Sequence, residues 1–140
     1  IFGTAAANAS KICTAESHGN ASAVSGTDRL GDAARTPYSF GLFQINITAH
    51  RINGLDCPSA FSKKSCTLSS CGPGTGVRVT NVALYNRCAA AAKSLQGNIE
   101  VAHRIYRDAN SSWSPWGTAR GCGLADNGAG KTVAFGTIGL

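Results

Sequence analysis

Six cysteines, at positions 13, 57, 66, 71, 88 and 122, constrain this chain of 140 residues more than any other feature. No Cys-x-x-Cys pair occurs among them, so their spacing favours three disulfides over a zinc site, and disulfides form in an oxidising compartment. A metal site drawn from Cys66, Cys71, His50 and His103 is the disfavoured alternative. Six cysteines allow roughly 15 pairings, and spacing alone does not choose among them. Staples suit residues 53–78, which set Cys57, Cys66 and Cys71 among Gly, Pro, Ser and Lys with little apolar surface to bury.

Length is that of one domain, residues 1–140, large enough to enclose a core. No run approaches the ~20 apolar residues that cross a bilayer. The start, Ile1-Phe2-Gly3-Thr4, lacks the basic and apolar stretches of a signal peptide, so any export signal is expected to have been removed already or never to have existed. A formal charge of +6 points to an anionic partner. The basic residues are scattered, with only Lys63-Lys64 adjacent, and no nucleic-acid motif is present. A bacterial cell-wall surface with its acidic polymers fits that charge as well as nucleic acid does, and without such a motif nucleic acid is the disfavoured partner.

Residues 1–7 read as a docked or frayed arm, and a helix is expected over roughly 8–18, stopped by Gly19-Asn20. Residues 21–37, rich in Ser, Gly, Asp, Arg and Thr, read as a surface loop or small hairpin. Tyr38 to Ile47 reads as a strand, with Gly41 letting something approach the backbone. Thr80 is expected to cap a helix over about 81–95 that Gly97 ends, and Asn98 to cap a second helix with Ile99, Ala102, Ile105, Tyr106 and Ala109 inward. The tail 133–140 is apolar enough to dock. Gly128-Ala129-Gly130-Lys131-Thr132 is half a phosphate-binding loop, with Ala125 where the earlier glycine belongs and no buried strand before it.

The chemistry-bearing position is Glu16. Ala9, Ile12, Cys13 and Glu16 recur at i, i+3, i+4 and i+7, which puts this carboxyl on the apolar face of its helix. Desolvation there favours the neutral form and prepares a proton donor near neutral pH. The competing reading is a structural ion pair with Arg29 or Arg35.

Glu16-Ser17-His18-Gly19, followed after a polar loop by Ser39-Phe40-Gly41-Leu42-Phe43-Gln44-Ile45-Asn46, resembles the active-site signature of the lysozyme superfamily, in particular goose-type lysozymes and the lytic transglycosylase domain. Hen-type lysozymes carry a similar Tyr-Gly-Ile-Leu-Gln-Ile-Asn. Asn98-Ile99, Arg104-Ile105-Tyr106 and Trp113-Ser114-Pro115-Trp116 match a third run found in these domains, so the resemblance spans roughly residues 9–122. It implies an α+β, mainly helical lysozyme-like fold with a small β element, trimmed of the helix that would precede Glu16.

The same resemblance implies a secreted or virion-associated, monomeric muramidase that needs no cofactor and no metal. Its substrate would be the β-1,4 bond between N-acetylmuramic acid and N-acetylglucosamine in bacterial peptidoglycan. Lytic transglycosylation and a non-catalytic saccharide-binding role are the alternatives, and a cationic membrane-disturbing antimicrobial is a further class. Glu16 would be the general acid. Ser39, Gln44 and Asn46 would line the cleft, with Tyr106 beside it and either Trp113 or Trp116 offering an edge for a sugar ring to stack on. His18 matches the goose-type motif as a structural residue. Four glycosylation sequons begin at Asn8, Asn20, Asn46 and Asn110, and Asn46 is expected bare because a glycan would obstruct the cleft.

A second carboxylate does not align. The hen-type Asp falls on Ser39, and the two goose-type Asp positions fall on Asn46 and Arg35. Asp32, ahead of Asp28, is expected to swing in from the long loop and activate a water; failing both, the substrate's own 6-hydroxyl or acetamide would attack. The hen-type cysteine order would join Cys13 to Cys122, Cys57 to Cys71 and Cys66 to Cys88.

Overall fold

A computed structural model describes residues 2–62 and 76–119. Within them the chain is mainly helical, with one two-stranded antiparallel sheet. Helix α1 (Ala6–Ser17) buries Ala9 and Ile12, the face that periodicity anticipated. It ends where His18 turns left-handed at φ 55°, with the His18 N–H on the Thr14 carbonyl. The N-terminal arm is docked. Phe2 sits against the rings of Phe43, His103, Tyr106 and Trp113.

The expected strand over 38–47 is instead a tight hairpin, β1 (Ser39–Phe40) paired with β2 (Ile45–Asn46) in the register Ser39 to Asn46 and Phe40 to Ile45. Gly41 at φ +82° and Gln44 at φ 49° make the turn, and two residues with positive φ cannot continue a strand. A Cβ on Gly41 would overlap the Ala92 carbonyl oxygen and the Asn98 amide, so the close approach that glycine announced is that of a helix end and a buried side chain. The loop 21–37 lies against the other edge of β1, with Ser25 N–H on the Ser39 carbonyl (3.0 Å) and Gly41 N–H on the Ala23 carbonyl (2.8 Å).

Two helices close the core from the far side. Helix α2 (Val82–Lys93) is capped by Asn81, whose Oδ1 accepts from the Leu84 N–H, one residue later than the expected Thr80. Thr80 instead binds the Ala60 carbonyl. Ser94 caps helix α3 (Leu95–Asp108) through the Gly97 N–H, so neither Gly97 nor Asn98 has its expected end-of-helix role. Gly97 lies in the first turn of α3, where a Cβ would sit 2.6 Å from the Ala91 carbonyl oxygen. The glycine permits close approach of consecutive helices. It does not terminate one.

Asn98 is fully buried and joins three elements. Its Oδ1 accepts from the Phe43 N–H (2.8 Å), and its Nδ2 donates to the carbonyls of Phe40 (2.9 Å) and Ala92 (2.8 Å). The hairpin turn, the end of α2 and the start of α3 are thereby one hydrogen-bonded unit. Ile12, Phe40, Phe43, Ile45, Ile47, Ile52, Ala92, Val101, Ala102, Trp113 and Trp116 pack around it as the core.

Among the described residues the disulfide is Cys57 to Cys88, with Cα atoms 5.8 Å apart. It overturns the pairs Cys57 to Cys71 and Cys66 to Cys88 implied by the hen-type order. The cause is packing: Cys57 opens the 3-10 turn Cys57–Ala60, this turn lies on α2, and Cys88 sits on the buried stripe of that helix. Cys13 forms no disulfide with a described residue, and its expected partner Cys122 lies outside the described residues. So do Cys66, Cys71, Lys63-Lys64, the glycine-rich motif 128–132 and the apolar tail 133–140.

Candidate active site

Glu16 is the penultimate residue of α1, half-buried at the wall of a cleft of about 460 Å³. Its Oε1 accepts a hydrogen bond of 2.9 Å from the Thr118 hydroxyl, presented by the 3-10 turn Gly117–Ala119. Burial pushes the Glu16 pKa up to about 7; the Thr118 bond pulls it down, and the nearby Asp28 carboxylate pushes it up again. Its place at the C-terminal end of α1, where the helix dipole is negative, also disfavours the charged form. The ion-pair reading does not hold. Arg29 donates to the carbonyls of Ser25 (2.9 Å) and Arg35 (3.1 Å), and the ion pairs among the described residues are Arg51 with Asp56 and Arg107 with Asp108.

The segment 23–28, which ends in Asp28, lines the same cleft. Asp28 is buried, accepts 2.8 Å from the Ser39 hydroxyl at Oδ2, and has its own N–H on the Ser25 hydroxyl (2.8 Å). Asp32 does not line the cleft. Its carboxylate folds back on the loop tip to accept from the Thr36 N–H (2.8 Å) and hydroxyl, and these bonds hold its pKa below the usual carboxylate range. Among the described residues the acid that lines the cleft with Glu16 is thus Asp28, and the expected order of Asp32 and Asp28 is reversed.

Of the other expected cleft residues, Gln44 lines it, with its Nε2 donating to the Gly41 carbonyl at 3.0 Å. His18 lines it as well, from the end of α1. Ser39 is fully buried and serves Asp28. Asn46 is 3% exposed, and its Oδ1 accepts from the Thr48 N–H and hydroxyl; a side chain so enclosed has no room for a glycan. Trp113 and Trp116, at 1% and 0% exposure, are both core, so neither offers a stacking edge. Trp116 spends its indole N–H on the Phe43 carbonyl (3.2 Å), while Tyr106 stacks on Trp113 with ring centroids 4.3 Å apart, away from the cleft. A buried indole needs a partner for its N–H, and the hairpin turn supplies it.

Sequence reasoning missed Thr118. Nothing marks it beyond its place two residues after a buried tryptophan. Among the described residues no group of three His, Cys, Asp or Glu side chains gathers as for a metal. His50 is half-buried and held neutral, its pKa lowered to about 4 by burial and by Arg104. Among them, too, no helix is long and apolar enough to cross a membrane. Comparison of the chain with protein-family models, with curated proteins and with solved structures finds no match in any of the three.

Proposed function

We propose that this chain is a muramidase that cuts the β-1,4 bond between N-acetylmuramic acid and N-acetylglucosamine in peptidoglycan, on the lysozyme-like fold its motifs resemble. One observation carries the reading: Glu16, desolvated and with no cation paired to it among the described residues, lines an open cleft, and burial raises its pKa to about 7. That is the condition a glycosidase acid must meet.

Glu16 gives its proton to the departing glycosidic oxygen as the C1–O bond breaks and its electron pair leaves with that oxygen. Asp28, a buried carboxylate that lines the same cleft, is the residue assigned to take a proton from the attacking water, an inverting path that requires the two carboxyls to stand about 6.5–9.5 Å apart. Ser39 cannot form a covalent glycosyl intermediate, so a retaining path through that position is not proposed. The charge of +6 favours an acidic wall surface. The buried Cys57–Cys88 bridge supports an oxidising, extracellular setting.

The test is the mass of soluble products released from purified insoluble peptidoglycan. Hydrolysis leaves reducing N-acetylmuramic acid ends, the expected result. Fragments lighter by one water carry 1,6-anhydro ends and mean transglycosylation instead. Sedimentation with the wall and no soluble fragment at all would mean a saccharide-binding protein.

A further inference from the structure

Thr118 makes the hydrogen bond to Glu16 from a segment that the core holds in place. Two residues earlier Trp116 is fully buried, with its backbone N–H on the Trp113 carbonyl (3.0 Å) and its indole on the Phe43 carbonyl (3.2 Å). The Gly117–Ala119 turn that follows packs on α1. The tryptophan pair, one of which the sequence offers as a sugar-stacking edge, thus sets the bearing of the hydroxyl that meets the acid.

A carboxylic acid has one good acceptor, its carbonyl oxygen, and one donor, its hydroxyl. With the Thr118 hydroxyl donating to Oε1, the neutral acid is favoured with Oε1 as carbonyl and its proton on Oε2. We propose that Thr118 is a positioning residue for Glu16, fixing Oε2 as the oxygen that delivers the proton and stabilising the carboxylate left behind on Oε1. As the proton leaves Oε2 for the departing oxygen, Glu16 gains a negative charge and the bond from Thr118 becomes charge-assisted, roughly twice as strong as its neutral form. A contact that strengthens along the reaction lowers the barrier without tightening substrate binding.

This inference rests on Glu16 acting as the acid, so its test includes a measurement made without substrate. The isosteric change Thr118→Val removes the hydroxyl, and Thr118→Ser restores it. Asp28 from the segment 23–28 and His18 from the end of α1 share the cleft with Glu16 and remain in every variant, so differences between variants report the hydroxyl.

In Thr118→Val the Glu16 carboxyl, followed by carbon NMR, is expected to titrate at higher pH than in the native protein, and in Thr118→Ser to return. On peptidoglycan, kcat is expected to fall about tenfold to a hundredfold in Thr118→Val with KM little changed, because a hydrogen bond to a charged group is lost. The alkaline limb of the rate profile should move upward with the carboxyl. An unmoved titration, or a loss confined to KM, would overturn the proposal. A titration that moves as expected in a protein whose native form releases no wall fragments would retire the muramidase reading and with it the proton-delivery role, leaving only the hydrogen bond by which Thr118 tunes the Glu16 carboxyl.

Discussion

Glu16→Gln is expected to lower the rate of glycan cleavage by about two to four orders of magnitude while the protein stays folded, the loss typical of removing a general acid. Glutamine matches glutamate in shape, and its amide oxygen still accepts from Thr118, so the wall of the cleft is preserved. What disappears is the proton. The variant should also be no less stable than the parent at neutral and alkaline pH. Glu16 ionises at about 7 in the fold against an ordinary 4.5, so the folded state binds more protons across that window. Its contribution is therefore fully present below the lower value and is lost as pH rises through the higher one, a difference on the order of 3 kcal/mol. Glutamine has no such charge to bury. Turbidity clearing by Glu16→Gln at the native rate would assign wall damage to the cationic surface instead of to the cleft.

Asn98→Ala is expected to destabilise the fold by about 3–5 kcal/mol, read as a lowered urea midpoint at unchanged slope. Alanine fits the helix, but it leaves the Phe43 N–H and the carbonyls of Phe40 and Ala92 without the side chain that binds all three. Each orphaned buried group costs about 1–3 kcal/mol, and a cavity is added. Against a typical total of about 5–15 kcal/mol, such a loss brings the protein near unfolding. A midpoint shifted by less than 1 kcal/mol equivalent, an order-of-magnitude threshold set by one ordinary hydrogen bond, would show that water replaces Asn98 easily.

The helix bearing Glu16 was legible because its signal is local: Ala9 and Ile12 repeat with the period of the helix, and Glu16 rides on the same face. Gly41 was legible for a similar reason, since a glycine among β-formers marks a close approach whatever makes it. Asn98 was not. Asparagine favours helix caps because it satisfies backbone groups nearby, and here the same capacity is used on residues 55 and 58 positions away.

Asp28 and Asp32 look alike in a polar loop. What separates them is the hydroxyls they meet, Ser39 for one and Thr36 for the other, and that is a matter of folded geometry. The tryptophans posed the same difficulty, because a large apolar face suits a core and a sugar equally well until its exposure is known. Thr118 is the extreme case, reaching Glu16 across 102 positions with no motif to announce it.

The most direct test of the account is the titration of the Glu16 side-chain carboxyl in the native protein, set beside the alkaline limb of peptidoglycan cleavage. Both are expected at about pH 7, with cleavage lost as the proton leaves. A carboxyl that titrates near 4.5, or cleavage that persists unchanged well above the pH at which Glu16 ionises, would contradict it.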